Sequence, residues 1–269
     1  MNVKENIKTL IVNKPLKLDC GQTINEFPLA YETYGSLNKD KNNAILVFHA
    51  LTGDQFVTGK NPITDKDGWW SYAVGPNKSI DTNKYFVICA NVIGGCMGSF
   101  GPSHKNPKTN KSYGIDFPVI TINDIVNAQV NLLDHFGIRK LFSVVGGSMG
   151  GMQVLQFVSN FPNKTKTAVP IACTASHSAQ NIALNELGRQ AITADHNWSK
   201  GEYSSNNTIP DKGLAVARMA AHITYLSKKS LQEKFGRNLQ ERDDLKFGFD
   251  ADFQIESYLR YQGSVFVDR

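Results

Sequence analysis

The sequence predicts an α/β fold with a mostly parallel central sheet, and three observations predict it. Apolar runs without alternation recur at Ala44 to Phe48, Tyr85 to Ala90 and Leu141 to Val145, as in strands buried on both faces. A helical segment, Ile122 to Phe136, stands between two of these runs and completes a strand-helix-strand-helix order. Beyond Val145 a strand passes into a helix through a turn in which four of six residues are glycine. At 269 residues, 41% hydrophobic and 20% charged, the chain can form one large α/β domain or a core domain carrying an inserted cap.

From Lys8 to Tyr34 short apolar stretches with a period near two alternate with turn signals, which predicts antiparallel strands at a sheet edge. The run Ala44 to Phe48 ends in His49-Ala50-Leu51-Thr52-Gly53, a small-residue turn at a strand's C-terminal end, where open α/β sheets place their sites. Residues 54–81 read as irregular, with Trp69-Trp70 anchoring a short helix because paired tryptophans bury too much area to sit free in water. The strand Tyr85 to Ala90 runs into Asn91 to Pro102, where four glycines in twelve residues allow close backbone approach to a ligand or another loop. Its place after a central strand favours a pocket wall over a plain surface turn.

Thr121 and Asp124 form a capping-box pattern ahead of Ile122, Ile125, Val126, Val130, Leu133 and Phe136, with Gly137 as the stop. Lys166 to Thr174 predicts a further strand, with Pro170 near a bulge or an end. From Ala179 to Gly263 helical patterns replace strands, at Ile182 to Ile192, Leu214 to Leu226 and Phe253 to Tyr261, broken by a polar linker from Ser199 to Lys212. This predicts a core over 1–176, a helical cap over 177–263, and an extended stretch over 264–269 that begins a return to the core.

The glycine-rich junction reads Gly146-Gly147-Ser148-Met149-Gly150, a G-x-S-x-G match in the strand-turn-helix setting of a nucleophile elbow. A serine at so sharp a turn is forced toward strained backbone angles, and glycines two positions before and after it remove Cβ atoms that would clash. Met152, Leu155 and Val158, three residues apart, mark the expected buried face of the following helix. That helix points unpaired N–H groups, Met149's among them, at any oxyanion forming beside Ser148.

A net charge of +5 is spread along the chain, which argues against a nucleic-acid surface. Lys60, Lys105, Lys108 and Lys111 are either solvated loop lysines or aids to an anionic substrate such as a coenzyme phosphate. Cys20, Cys89, Cys96 and Cys173 form no C-x-x-C pair and stand at no zinc-ligand spacing, so neither a disulfide framework nor a metal site is expected, and a reducing cytoplasm fits. Met1 to Asn6 show no secretory signal, and no stretch reaches membrane-spanning length.

Five blocks, HALTGD, NVIGGCMGSFGP, VVGGSMGGMQ, GLAVARMAAHITYLS and YLRYQGSVFVDR, together resemble the homoserine O-acyltransferases of methionine biosynthesis, within the α/β-hydrolase superfamily. The resemblance implies an α/β-hydrolase fold with a helical cap, Ser148 as nucleophile, and the backbone N–H groups of Leu51 and Met149 as the oxyanion hole. It implies that Arg218 holds the homoserine carboxylate, whereas spacing alone leaves that arginine equally open to a snorkelling role on an apolar helix face. It further implies acetyl-CoA or another acyl-CoA as co-substrate with no bound cofactor, L-homoserine as acceptor, and a homodimer through the cap helices.

Superfamily chain order is serine, acid, histidine, and the resemblance places the last two after Arg269. His177, His196 and His222 follow Ser148 but lie at or within the helical segment, with His177 just past the strand that succeeds the elbow. His49 precedes the serine and reads as a structural or pocket residue, and His104 and His135 read as solvated. The chain is therefore expected to lack the last strands and helices of the core and to be inactive by itself. Three rival readings stay open: an esterase or thioesterase using water, an acyltransferase with a succinyl donor or serine acceptor, and a non-catalytic module built on the cap helices.

Overall fold

The computed structural model describes residues 7–203, 206–241, 243–246 and 248–267. The stretch Met1 to Asn6 and the last two residues, for which a missing signal and an extended end were expected, lie outside them. In chain order the strands are β1 (Thr9–Val12), β2 (Leu16–Lys17), β3 (Thr23–Ile24), β4 (Phe27–Tyr34), β5 (Ala44–Phe48), β6 (Val74–Gly75), β7 (Ile80–Asp81), β8 (Phe86–Ala90), β9 (Leu141–Gly147) and β10 (Thr165–Ile171). Six of them form one sheet in the order β1-β4-β8-β5-β9-β10. The four from β8 to β10 pair in parallel, while β4 joins β8 and β1 joins β4 antiparallel, as the period-two pattern predicts.

Every residue of β5 and β8 is buried, because both faces of the sheet are covered. On one face Leu46 and Phe48 pack into a core shared with α1 (Ile122–Gln129), α2 (Asn131–Phe136) and α3 (Met149–Asn160). On the other, Ile45 and Val47 lie with Val57, Val74, Trp69 and Trp70. Alternation of side chains along the strand sends neighbours to opposite faces, so an unbroken apolar run is what a doubly covered strand requires. Phe48 and Phe157 are fully buried with ring centroids 6.0 Å apart, and each burial contributes roughly 1.5–3 kcal/mol.

Four expectations need correction. Trp69 and Trp70 stack with centroids 5.4 Å apart but form a turn, not a helix; Trp69 Nε1 donates to the Asp54 carbonyl at 2.9 Å, so side-chain anchoring replaces a helical ladder. The capping box at Thr121 and Asp124 is present, but the segment it opens loosens at Val130 into two helices. There the Asn131 side chain donates to the carbonyls of Asn127 and Ala128, competing with the main-chain ladder.

The buried face of α3 is Gly150, Gly151, Gln153, Val154 and Phe157, whereas Met152, Leu155 and Val158 are half-buried. A step of three residues falls roughly 60° short of a full turn, so that series drifts along the flank while residues 150, 154 and 157 stay together. Pro170 sits one residue before the end of β10, opposite Gly146, on an edge strand where a missing donor is tolerated.

The chain folds as two units, Met1–Ser176 and His177–Arg269. The second contains α4 (Ala179–Thr193), α5 (Asp211–Thr224), α6 (Lys228–Phe235) and α7 (Gln254–Val267), with α5 packed against both α4 and α7. The fourth correction falls here: residues 264–267 are the last turn of α7, not the start of an extended return. Leu259, Gly263 and Phe266 repeat at helical spacing, and a Cβ on Gly263 would stand 3.1 Å from Ala215 Cβ, so close packing on α5 decides what a five-residue alternation could not. Among the described residues, no helix is long and apolar enough to cross a membrane.

Candidate active site

The elbow is built by the contest between β9, which must end, and α3, which must begin at once. Ser148 bridges them with φ 56° and ψ −123°, a conformation a non-glycine residue adopts at a cost of about 1–3 kcal/mol. Its N–H donates to the Ile171 carbonyl at 3.0 Å and its carbonyl accepts from Met152 N–H at 3.1 Å, so strand β10 and the first turn of α3 hold the strain in place. A Cβ on Gly150 would stand 2.1 Å from the Phe48 carbonyl oxygen, and one on Gly146 would stand 2.5 Å from the Gly150 backbone. The side chain of Ser148 is exposed, and its hydroxyl has no hydrogen-bond partner among the described residues. Met149 heads α3, where first-turn N–H groups lack intrahelical acceptors.

The turn after β5 is closed by Gly53 N–H donating to the Ala50 carbonyl at 2.8 Å. His49 is buried within it. Its Nε2 accepts from the Val92 N–H at 3.1 Å, so the proton sits on Nδ1, which donates to the Ala50 carbonyl at 2.7 Å. That carbonyl belongs to the peptide whose N–H is Leu51's. The Leu51 N–H has no acceptor among the described residues, and the residue is 74% exposed. Because Gly150 abuts the Phe48 carbonyl, the structure brings the Leu51 turn against the head of α3, where Ser148 and Met149 stand.

Burial holds the His49 imidazole down at about 4, only partly countered by its bond to Ala50. An unfolded histidine takes its proton near 6.5, so stability is full above that pH and falls on acidification toward 4, by roughly 3 kcal/mol. Urea unfolding at about pH 7 and about pH 4.5 should show this loss, and a His49→Gln variant should show less of it.

The loop after β8 explains its own glycines. Gly94 N–H donates to the Phe100 carbonyl at 2.7 Å, and a Cβ on Gly101 would stand 2.3 Å from the Gly95 carbonyl oxygen, so the loop folds back on itself. It is tied to the β5 turn through His49 and Val92 and through Gln55 Nε2, which donates to the Met97 carbonyl at 2.9 Å.

In the helical unit, Arg218 lies on α5. Its guanidinium carbon is 5.1 Å from the Phe266 ring centre and 5.7 Å from that of Tyr225, and one of its N–H groups donates to the Tyr225 hydroxyl at 3.1 Å. Arg218 Nε is buried without a partner and the side chain forms no ion pair among the described residues. His222, one turn on, bonds the Tyr258 hydroxyl at 2.9 Å; burial, then the charges of Arg218 and Lys234, lower its pKa. His177 is exposed beside Asn185. Lys60 pairs with Asp67 at 3.4 Å, and Lys105, Lys108 and Lys111 are exposed. All four cysteines are free, and no group of three potential metal ligands occurs among the described residues.

Sequence reasoning missed Gln129 and Gln153, both buried, with Gln129 Nε2 donating to Gln153 Oε1 at 2.9 Å. The available signal was a glutamine four residues after Met149, on what proves to be the buried face of α3.

The family model for the alpha/beta hydrolase fold matches residues 43–263. The chain is 78% identical over 269 residues to a homoserine O-acetyltransferase of Pelagibacter ubique (strain HTCC1062), covering 100% of the chain and 72% of that relative. It is 63% identical over 257 residues to a homoserine O-acetyltransferase of Mesorhizobium japonicum, covering 96% of the chain and 66% of that relative. The chain thus spans about two thirds of the length of the curated relatives it matches. Among solved structures it superposes on the homoserine O-acetyltransferase from Bacillus anthracis with a TM-score of 0.86 at 26% identity, over 98% of this chain and 71% of that one. It superposes on esterase E22 with a TM-score of 0.83 at 29% identity, over 97% and 73%.

Proposed function

The chain belongs to the homoserine O-acetyltransferase family of α/β hydrolases, and from that premise we propose that the whole protein moves an acetyl group from acetyl-CoA to the hydroxyl of L-homoserine through an acyl-serine at Ser148. The observation that carries this reading is Ser148 itself, held at φ 56° at the head of a helix between two glycines that admit no side chain. Its Oγ attacks the thioester carbonyl while the N–H groups of Leu51 and Met149 receive the oxyanion. The carbon–sulfur bond breaks and coenzyme A leaves with a proton. The homoserine hydroxyl then attacks the acyl-serine, the ester departs, and Ser148 recovers its proton. By resemblance, the base that handles these protons is a histidine oriented by a carboxylate.

Arg218 is assigned the homoserine carboxylate. Two flanking rings orient a guanidinium without neutralising it, which suits a planar bidentate partner. Arg218→Lys keeps the charge but loses the fork, and is expected to raise KM for homoserine about tenfold or more with little change in KM for acetyl-CoA. Steady-state kinetics in both substrates check this. The reading also includes work in the cytoplasm, which four free cysteines suit, and a homodimer joined through the helical unit. Ile182, Leu187, Val216 and Ile223, all about half exposed on α4 and α5, supply apolar area for that contact.

The decisive experiment incubates the full-length protein with acetyl-CoA in the absence of homoserine. One acetyl group on the peptide containing Ser148, released as ester when homoserine is added, is the expected result; absence of the adduct with every acyl-CoA tried overturns the reading. The likeness to esterase E22 favours one second reading, in which water accepts the acyl group. Free acetate in place of O-acetylhomoserine would select it.

A further inference from the structure

We propose that Gln153 is a positioning residue for the oxyanion hole, its buried amide clamping together the two backbone segments that carry the Leu51 and Met149 N–H groups, with Gln129 setting its orientation. The proposal rests on the reading that those two N–H groups receive the oxyanion.

Gln153 is fully buried on α3, one turn after Met149. Its Nε2 donates to the His49 carbonyl at 3.2 Å and to the Met149 carbonyl at 3.3 Å. Both acceptors are carbonyl oxygens, which cannot donate, so the amide has one allowed orientation. Its Oε1 accepts from Gln129 Nε2 at 2.9 Å, so both amide hydrogens and the carbonyl oxygen are engaged. The bond to Met149 fixes the residue whose own N–H is one oxyanion donor. The bond to His49 fixes the start of the turn that presents the other, whose peptide carbonyl is held independently by the His49 ring. One amide therefore spans both halves of the hole and leaves both catalytic N–H groups free.

A filler of space does not explain this arrangement. Orienting Gln129 toward Gln153 leaves Gln129 Oε1 buried without a partner among the described residues. Two apolar residues of similar volume would fill the α1–α3 interface without that unmet acceptor. Directional hydrogen bonds behind a site hold its geometry to within about 0.5 Å, as an oxyanion hole demands.

The test uses the full-length protein and diethyl p-nitrophenyl phosphate. In this reaction the Ser148 oxygen bonds to phosphorus, the phosphorus–aryloxide bond breaks, p-nitrophenolate leaves, and the serine proton passes to the base. No acyl donor or acceptor is involved, so the probe reads the hole without assuming the substrates. Gln153→Met is expected to slow labelling of Ser148 by about tenfold to a hundredfold. Gln129→Met should slow it by about threefold to tenfold, and the double variant should be no slower than Gln153→Met alone. With acetyl-CoA the loss should fall on the acylation rate, with KM within about twofold. Unchanged labelling in a folded variant overturns the proposal, as does a loss that is additive between the two sites. If Gln153→Met does not fold, Gln129→Met decides alone, by the same criterion. Wild type that reacts with the organophosphate but not with acetyl-CoA removes the proposed donor and leaves the role of Gln153 to be judged on labelling. Wild type that reacts with neither removes both.

Discussion

Ser148→Ala is expected to lower turnover of the full-length protein by about 10^4- to 10^6-fold, because removal of a nucleophile disables every step that passes through it. The protein should stay folded. The hydroxyl makes no hydrogen bond among the described residues, and alanine inherits the strained backbone angles along with the main-chain bonds to Ile171 and Met152. A thermal midpoint within a few degrees of wild type, with no acetyl adduct by intact-protein mass, is the predicted pair of results. Turnover retained to within tenfold would mean that the exposed serine of this turn is not where the acyl group rests.

Gly150→Ala should produce the largest loss of stability of any single-methyl change in the motif. The added carbon would stand 2.1 Å from the Phe48 carbonyl oxygen, which is backbone in the buried end of β5 and cannot swing aside as a side-chain tip can. Separation requires moving α3 from the sheet or displacing the turn that carries Leu51. A cost of about 3–5 kcal/mol is expected, which for a domain of this size lowers the melting temperature by roughly 10 °C. Activity should fall further than stability, since either movement opens the oxyanion hole. Gly147→Ala is the matched control: nothing lies within 4 Å of its added carbon, so near-neutrality is expected. Equal melting temperatures for the two variants would refute the steric account of the G-x-S-x-G spacing.

Much of the core was legible because its signals are local. An unbroken run such as AILVF has no polar face to offer water, so burial on both sides follows from the residues themselves. The capping box at Thr121 and Asp124, and the helix stop at Gly137, which takes φ 66°, are likewise written within a few residues. The elbow was legible for the same reason, since serine between two glycines after a strand and before a helix leaves few other conformations. The helix α6 was missed because KKSLQEKF has almost no apolar stripe; a Ser227 cap starts it and Phe235 alone is buried.

The residues alone place the central strands, the sharp turn and the serine at its apex, because these depend on backbone sterics and on spacing along the chain. Packing settles that Gln153 rather than Met152 faces the core, that residues 264–267 finish a helix, and that the His49 ring, its proton placed by the Val92 N–H, holds the peptide of Leu51. Each of those depends on an atom more than forty residues away, or on which side of a helix is met by a neighbour. Such contacts have energies comparable to local preference and leave no periodic mark in the residues that make them.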